Sequence, residues 1–241
     1  MKRFWDRAEV AAEGDAFGIV LDGRPLRLPG GGSLRLPHRA VADAVAAEWD
    51  AAGGAKGTEF TYDDVPLTRL VGTAVDRIAP DPAPSAEAIA KYGEADLLCY
   101  RAEDRRLAAL EAERWQPLLD WAALHLDAPL LVTTGIGHVA QPEDSLRAIR
   151  AAVAAQDAFG ISALGLAVPA LGSVVLGLAM AHGRLDAAEA HALASLDETF
   201  QEELWGTDSE AQARRARIGA DVALAERLMR LSRAVPHGRA A

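Results

Sequence analysis

The chain has 241 residues, 50% of them hydrophobic, enough for one large domain or two small ones with real cores. Aromatic residues are only 5% and charged residues 25%, which together with abundant alanine favours helices packed through small side chains over a β-sandwich. The formal net charge of -10 argues against a nucleic-acid partner, since counterion release cannot drive such a molecule onto phosphates, and the single cysteine, Cys99, excludes an internal disulfide and every multi-cysteine zinc site.

The N-terminus, MKRFWDRAEV, has aromatic and charged residues where a signal peptide needs an apolar run, and too little basic amphipathic length for an organelle presequence. A cytoplasmic protein is the expectation. In residues 17–28, FGIVLDGRPLRL, Asp22-Gly23 stands between two apolar runs, a strong signal for a two-residue hairpin with positive φ at the turn. Gly30 to Gly32 read as a loop and Leu34 to Leu36 as a short strand. Pro37 then starts a helix with Val41, Val45 and Trp49 at spacing four, ended by Gly53-Gly54. An extended segment over Thr58 to Tyr62 and a helix after Pro66 complete the first part. Residues 79–86, APDPAPSA, carry three prolines and read as a linker.

Beyond it the spacing predicts helices over 86–100, 104–126 with an interruption at Pro117, 143–158, 160–182 in two pieces, 186–205 and 208–234. Asp186 with Glu189 forms a capping box, and Asp208 or Ser209 caps the last helix. The fold class is α+β: a small β-rich N-terminal domain, residues 1–82, followed by a helical domain, residues 83–241. Residues 161–181, ISALGLAVPALGSVVLGLAMA, contain no charge. The run admits two readings, a membrane span or a helix buried on all sides and broken near Pro169. The proline and glycines at its centre and its lack of basic flanks favour the second.

Chemistry is sparsely signalled. Gly135, Gly137 and Ala140 match the dinucleotide fingerprint, but Pro142 and the start at Glu143 put the following helix several residues late, with acidic side chains facing any phosphate. None of the six histidines stands in a metal-binding spacing, and neither a nucleophile elbow nor a phosphate loop with its lysine occurs. No cofactor and no catalytic residue is expected.

Residues 196–211, LDETFQEELWGTDSEA, hold six carboxylates and a tryptophan without a lysine or arginine. On a helical wheel Leu193, Leu196, Phe200 and Leu204 share one stripe, while His191, Glu198, Glu202 and Trp205 lie opposite, on a face expected to be solvated. Asp197 borders the stripe and is expected to be partly buried and paired. Trp205 admits two readings, a surface protein contact or a core residue folded back onto the last helix.

Several segments, in their order and spacing, carry a family resemblance: KRFW (2–5), LDGRP (21–25), EWD (48–50), PLT (66–68), YGEADLLCYRA (92–102), RWQPLLDW (114–121), GIGHVAQP (135–142), GSVVLGLA (172–179) and LDETFQEELWGTDSEA. The chain resembles the ATP synthase assembly chaperones, mitochondrial assembly factor 2 and its bacterial relatives, which bind the alpha subunit of the catalytic sector before it joins the beta subunit. The resemblance implies an α+β N-terminal domain, an orthogonal helical bundle and a non-enzymatic function. It also implies that Asp197, Glu198, Glu202, Trp205 and Asp208 bind the partner. Val65, Leu28 and Ala95 depart from the family's usual methionine, threonine and threonine. A competing reading makes the His191, Glu198 and Glu202 face an acid/base or metal site of a small-molecule enzyme.

Overall fold

The computed structural model describes residues 1–28 and 31–233. The loop expected at Gly30 and the tail from 235, with His237, fall on positions outside that range. The chain is α+β and forms two compact units. One comprises Met1–Asp81, Ala158–Ser162 and the chain from Arg227, the other Pro82–Asp157 and Ala163–Glu226. The helical part expected from 83 onward therefore contributes two short pieces to the first unit.

In the first unit β1 (Ala8–Glu13), β2 (Ala16–Leu21) and β3 (Arg24–Pro25) form an antiparallel sheet in that order. Leu21 pairs with Arg24 across the Asp22-Gly23 turn, whose φ angles of 48° and 78° are those of the primed hairpin expected there. Asp22 also accepts from the Asp6 and Arg7 amides, and these bonds hold its carboxyl below the usual range. Strand β1 is an addition to the sequence reading. Its AEVAAE lacks the β-branched run that marks strands, and pairing with β2 from Ala8↔Leu21 to Glu13↔Ala16 imposes the extended form.

Helix α1 (Arg39–Ala51) lies on β1 and β2, burying Val41, Val45 and Trp49. The EWD motif acquires a physical meaning here. Glu48 accepts from the Leu67 and Thr68 amides and the Thr68 hydroxyl at 2.6–2.8 Å, so it caps α2 (Pro66–Thr73) from a neighbouring helix. Trp49 donates to Thr68 Oγ1, and Trp5 donates to the Trp49 carbonyl. The segment expected to extend over 58–62 is short: Phe60 exchanges backbone bonds with Met1, and Tyr62–Asp64 form a 3₁₀ turn.

In the second unit α3 (Ala83–Ala90) begins inside the proline-rich stretch read as linker, since Pro84 falls in the first turn, where no amide donor is required. Strand β4 (Tyr100–Arg101) follows two 3₁₀ turns, so the helix expected over 86–100 ends early. Next come α4 (Arg105–His125), unbroken through Pro117, β5 (Thr133–Thr134), parallel to β4, and α5 (Glu143–Ala154). The uncharged run becomes α6 (Ala158–Leu171) and α7 (Val174–Ala181). The break is at Gly172-Ser173 rather than Pro169: Gly172 takes φ 65° and Ser173 Oγ accepts from the Leu176 amide. All of α7 is buried, and among the described residues no helix is long and apolar enough to cross a membrane. Then follow α8 (Ala187–Ala194), opened by the expected Asp186–Glu189 capping box, α9 (Leu196–Trp205) and α10 (Ser209–Ser232). Ser195 divides the helix expected over 186–205.

Candidate functional site

The acidic stretch forms α9, the turn after it and the start of α10. Phe200 is its buried anchor, with the Arg106 guanidinium 5.7 Å from its ring centre. Gly206, at φ 92°, stops the helix, and the Asp208 carboxylate accepts from the Glu210 amide at the start of α10.

The negative charge is compensated, but from outside the stretch. Arg214 donates to Glu198 at 2.6 Å and Arg215 donates to Glu202 at 2.6 Å. Glu198 and Glu202 keep 44% and 17% of their side-chain exposure, so the face read as solvated packs on α10. The Glu202 carboxylate in turn holds the Arg215 guanidinium above its ordinary value. His191 points to the same helix, where a Cβ at Gly219 would come within 3.3 Å of its ring. His191, Glu198 and Glu202 thus share a face, as the wheel indicates, but α10 covers it and its arginines engage both carboxylates. That placement removes the motive for acid/base chemistry there. Among the described residues no group of three His, Cys, Asp or Glu side chains could hold a metal ion.

Asp197 is a second correction. It is exposed, and its hydrogen bond is a 3.3 Å contact from Gln201 one turn on. At 100° per residue it falls past the edge of the Leu196–Phe200 stripe. Trp205 is 81% exposed and Leu204 47%, which decides against the folded-back tryptophan.

Beneath α9 lies a charged core that the sequence reading missed. Arg101 is buried with its guanidinium 5.4 Å from the Trp115 ring centre, and burial lowers its pKa. Glu111, also buried, accepts from the Ala102 amide at 2.7 Å; burial raises its carboxyl above the ordinary range, partly offset by that amide and by Arg101. Trp115 Nε1 donates to the Leu193 carbonyl. The signal available was RWQPLLDW together with a charged residue in an otherwise apolar strand, which reads as a motif but not as a pairing.

The glycine-bearing segment at 135–142 contains no helix until Glu143, as its sequence implies. It is held in shape by Gln141, which exchanges two hydrogen bonds with the Leu131 backbone, and by Ser145 Oγ donating to the Pro129 carbonyl.

Residues 2–123 match the family model described as ATP12 chaperone protein. The chain belongs to the ATP12 chaperone family. The crystal structure of Atp12 from Paracoccus denitrificans is 42% identical, covers 96% of this chain and 98% of its own, and superposes with a TM-score of 0.90. A protein from Agrobacterium tumefaciens is 37% identical over 96% of this chain and 86% of its own, with a TM-score of 0.89. Protein atp12, mitochondrial, of Schizosaccharomyces pombe is 25% identical over 223 residues, 87% of this chain and 75% of that protein. The sequence resemblance to ATP synthase assembly chaperones is thereby established as family membership. In this chain the frame of the site is a helical unit in which α9 and α10 pair through Arg214 and Arg215.

Proposed function

We propose that this ATP12 chaperone binds the unassembled alpha subunit of the ATP synthase catalytic sector and keeps it from aggregating, by binding alone and without a cofactor, in a bacterial cytoplasm. The observation that carries the reading is Trp205, set with Leu204 in water at the end of a helix and among carboxylates. An indole held out of the core costs burial energy, and aromatic residues of this kind anchor protein contacts. Acidic side chains around it keep the chaperone soluble and steer a basic client.

The five candidate residues divide by role. Trp205 and Asp197 meet the client. Glu198 and Glu202 hold α9 on α10 through Arg214 and Arg215, and Asp208 fixes the turn that presents the tryptophan. A subunit awaiting its partner exposes the apolar surface of the future interface, and a protein that covers it removes the aggregating species by mass action.

The test is capture of co-expressed alpha subunit by the tagged chain. Trp205→Ala is expected to reduce capture about tenfold, a typical loss for an aromatic anchor, while the thermal midpoint stays within about 2 °C, as for an exposed substitution. Full capture by the variant, or none by the wild type, overturns the reading.

A further inference from the structure

Strand β5 pairs with β4 in a sheet of two strands, so one side of it is an edge. Tyr100 lies opposite Thr133, Arg101 lies opposite Thr134, and the Gly135 amide donates to the Arg101 carbonyl at 2.8 Å. In a parallel ladder of this register the Thr133 amide and carbonyl also face β4. Each peptide unit is planar and trans. The Val132 carbonyl, the Thr134 amide and the Thr134 carbonyl therefore point away from β4. Among the described residues these three groups have no hydrogen-bond partner.

The edge is held in place along its length. The Ala128 amide donates to the Ala122 carbonyl, Ser145 Oγ donates to the Pro129 carbonyl, Gln141 engages both backbone groups of Leu131, and β4 holds residues 133–135. Leu131, Val132 and Ile136 are exposed. Sheet edges are ordinarily guarded by charges or proline, whereas residues 130–136, LLVTTGI, contain neither. Carboxylates stand at both ends of this bare stretch. Asp127 precedes it, and a Cβ on Gly135 would meet the Glu103 carboxylate at 3.1 Å. Of the cations adjoining Glu103 in the chain, Arg101 is buried and Arg106 lies over Phe200, which leaves Arg105 against Glu103, Asp104 and Asp127.

We infer that the free edge of β5 is a docking site for an extended peptide segment of the client, added as a third strand, with apolar residues at its centre and lysine or arginine at its ends. Outward amide and carbonyl groups specify an extended backbone, and Leu131 and Val132, on opposite faces of the strand, ask for apolar neighbours. The carboxylates at the two ends supply the charge complementarity. They also disfavour a second copy of this chain, because antiparallel pairing of two such edges would set Asp127 of each copy toward Glu103 of the other. The inference rests on the proposed function for the identity of the client, and it adds the edge itself and the form of the segment bound.

The experiment follows hydrogen exchange at the Thr134 amide in the full chain, alone and with purified alpha subunit, and measures affinity at low and high salt for Thr134→Lys and Trp205→Ala. Exchange at Thr134 is expected to slow at least about tenfold on binding, as for an amide that gains a strand partner. Thr134→Lys places a natural guard on the edge and is expected to weaken binding about tenfold, with its thermal midpoint within about 2 °C of wild type. The loss should be larger at low salt, because the new cation repels basic ends. If wild type binds and Trp205→Ala is weakened, but Thr134 exchange is unchanged or Thr134→Lys binds normally, the edge is not the site and the proposed function stands. A loss that does not depend on salt overturns the basic ends. Protection of Thr134 that grows with the concentration of the chain alone gives the edge to a second copy and overturns the occupant. Absence of binding by the wild type overturns both the proposed function and this inference.

Discussion

Asp96 and Glu202 are both drawn out of water in the second unit, yet they are held by different means. Asp96 is fully buried and, among the described residues, pairs with no arginine. It accepts from the Leu98 amide, the Val175 amide and the Ser173 hydroxyl at 2.8–3.1 Å, tying the turn before β4 to the start of α7. Desolvation outweighs those bonds and its pKa is pushed up to about 6. Glu202 keeps contact with solvent and relies on one long cationic partner from the next helix. Around it His191 Nε2, Gln201 Oε1, Glu202 Oε1 and Arg215 Nη1 are buried without hydrogen bonds. The first carboxylate locks backbone in the core with short, satisfied bonds. The second joins two surface helices through flexible side chains and leaves polar atoms unsatisfied, which makes α9 the more easily opened element.

The largest effect that would sharpen this contrast is expected from Asp96→Ala, which strands two amides and a hydroxyl in the core and should cost about 3 kcal/mol in denaturant unfolding. Arg215→Met follows. It leaves Glu202 half-buried and unpaired, and a loss of about 1–2 kcal/mol lies between exposed and buried ion pairs. A cost for Arg215→Met equal to that for Asp96→Ala would break the comparison.

The pH dependence runs in a direction opposite to that of a salt-bridged carboxylate. The folded pKa of Asp96, about 6, exceeds the ordinary 3.8, so the folded state binds the proton more tightly. Its contribution to stability is therefore fully present below about pH 4 and is lost as pH rises through 6. Wild type should gain on Asp96→Asn as pH is lowered over that window, measured as the difference between their unfolding free energies. A difference that shrinks instead would show that the three donors outweigh desolvation. The smallest effects belong to the surface. Glu198→Gln should cost no more than about 0.5 kcal/mol, because its pair with Arg214 is exposed. Asp197→Asn should leave the thermal midpoint unchanged within about 2 °C and be read only in client capture.

Local chemistry made parts of the molecule legible. The Asp22-Gly23 turn, Pro66 at the start of α2 and the Asp186–Glu189 box each act within four residues, and each stands where its residues indicate. Strand β1 was hidden because its alanines carry no preference and its form comes from a partner strand. The helix breaks at Gly172 and Ser195 were blurred by apolar runs that continue across them. The acidic face misled for a related reason. Within residues 196–211 no cation is present, whereas Arg214 and Arg215 reach Glu198 and Glu202 from 16 and 13 positions further on. A helical wheel places side chains around one axis and cannot say which other helix lies against them. Trp205 was recognisable as an oddity, but its exposure could be read only from the structure.

The burial of α7 bears on the order in which this protein is made. Among its packing partners are the 91–95 turn, α4, α5 and α8. Three of these precede it in the chain, and the fourth follows within a few residues of its end. As synthesis proceeds from the N-terminus, the segment most prone to self-association meets its cover almost as soon as it emerges, well before α9 and α10 exist. A protein whose proposed task is to shelter another chain's apolar surface is therefore arranged to shelter its own without help.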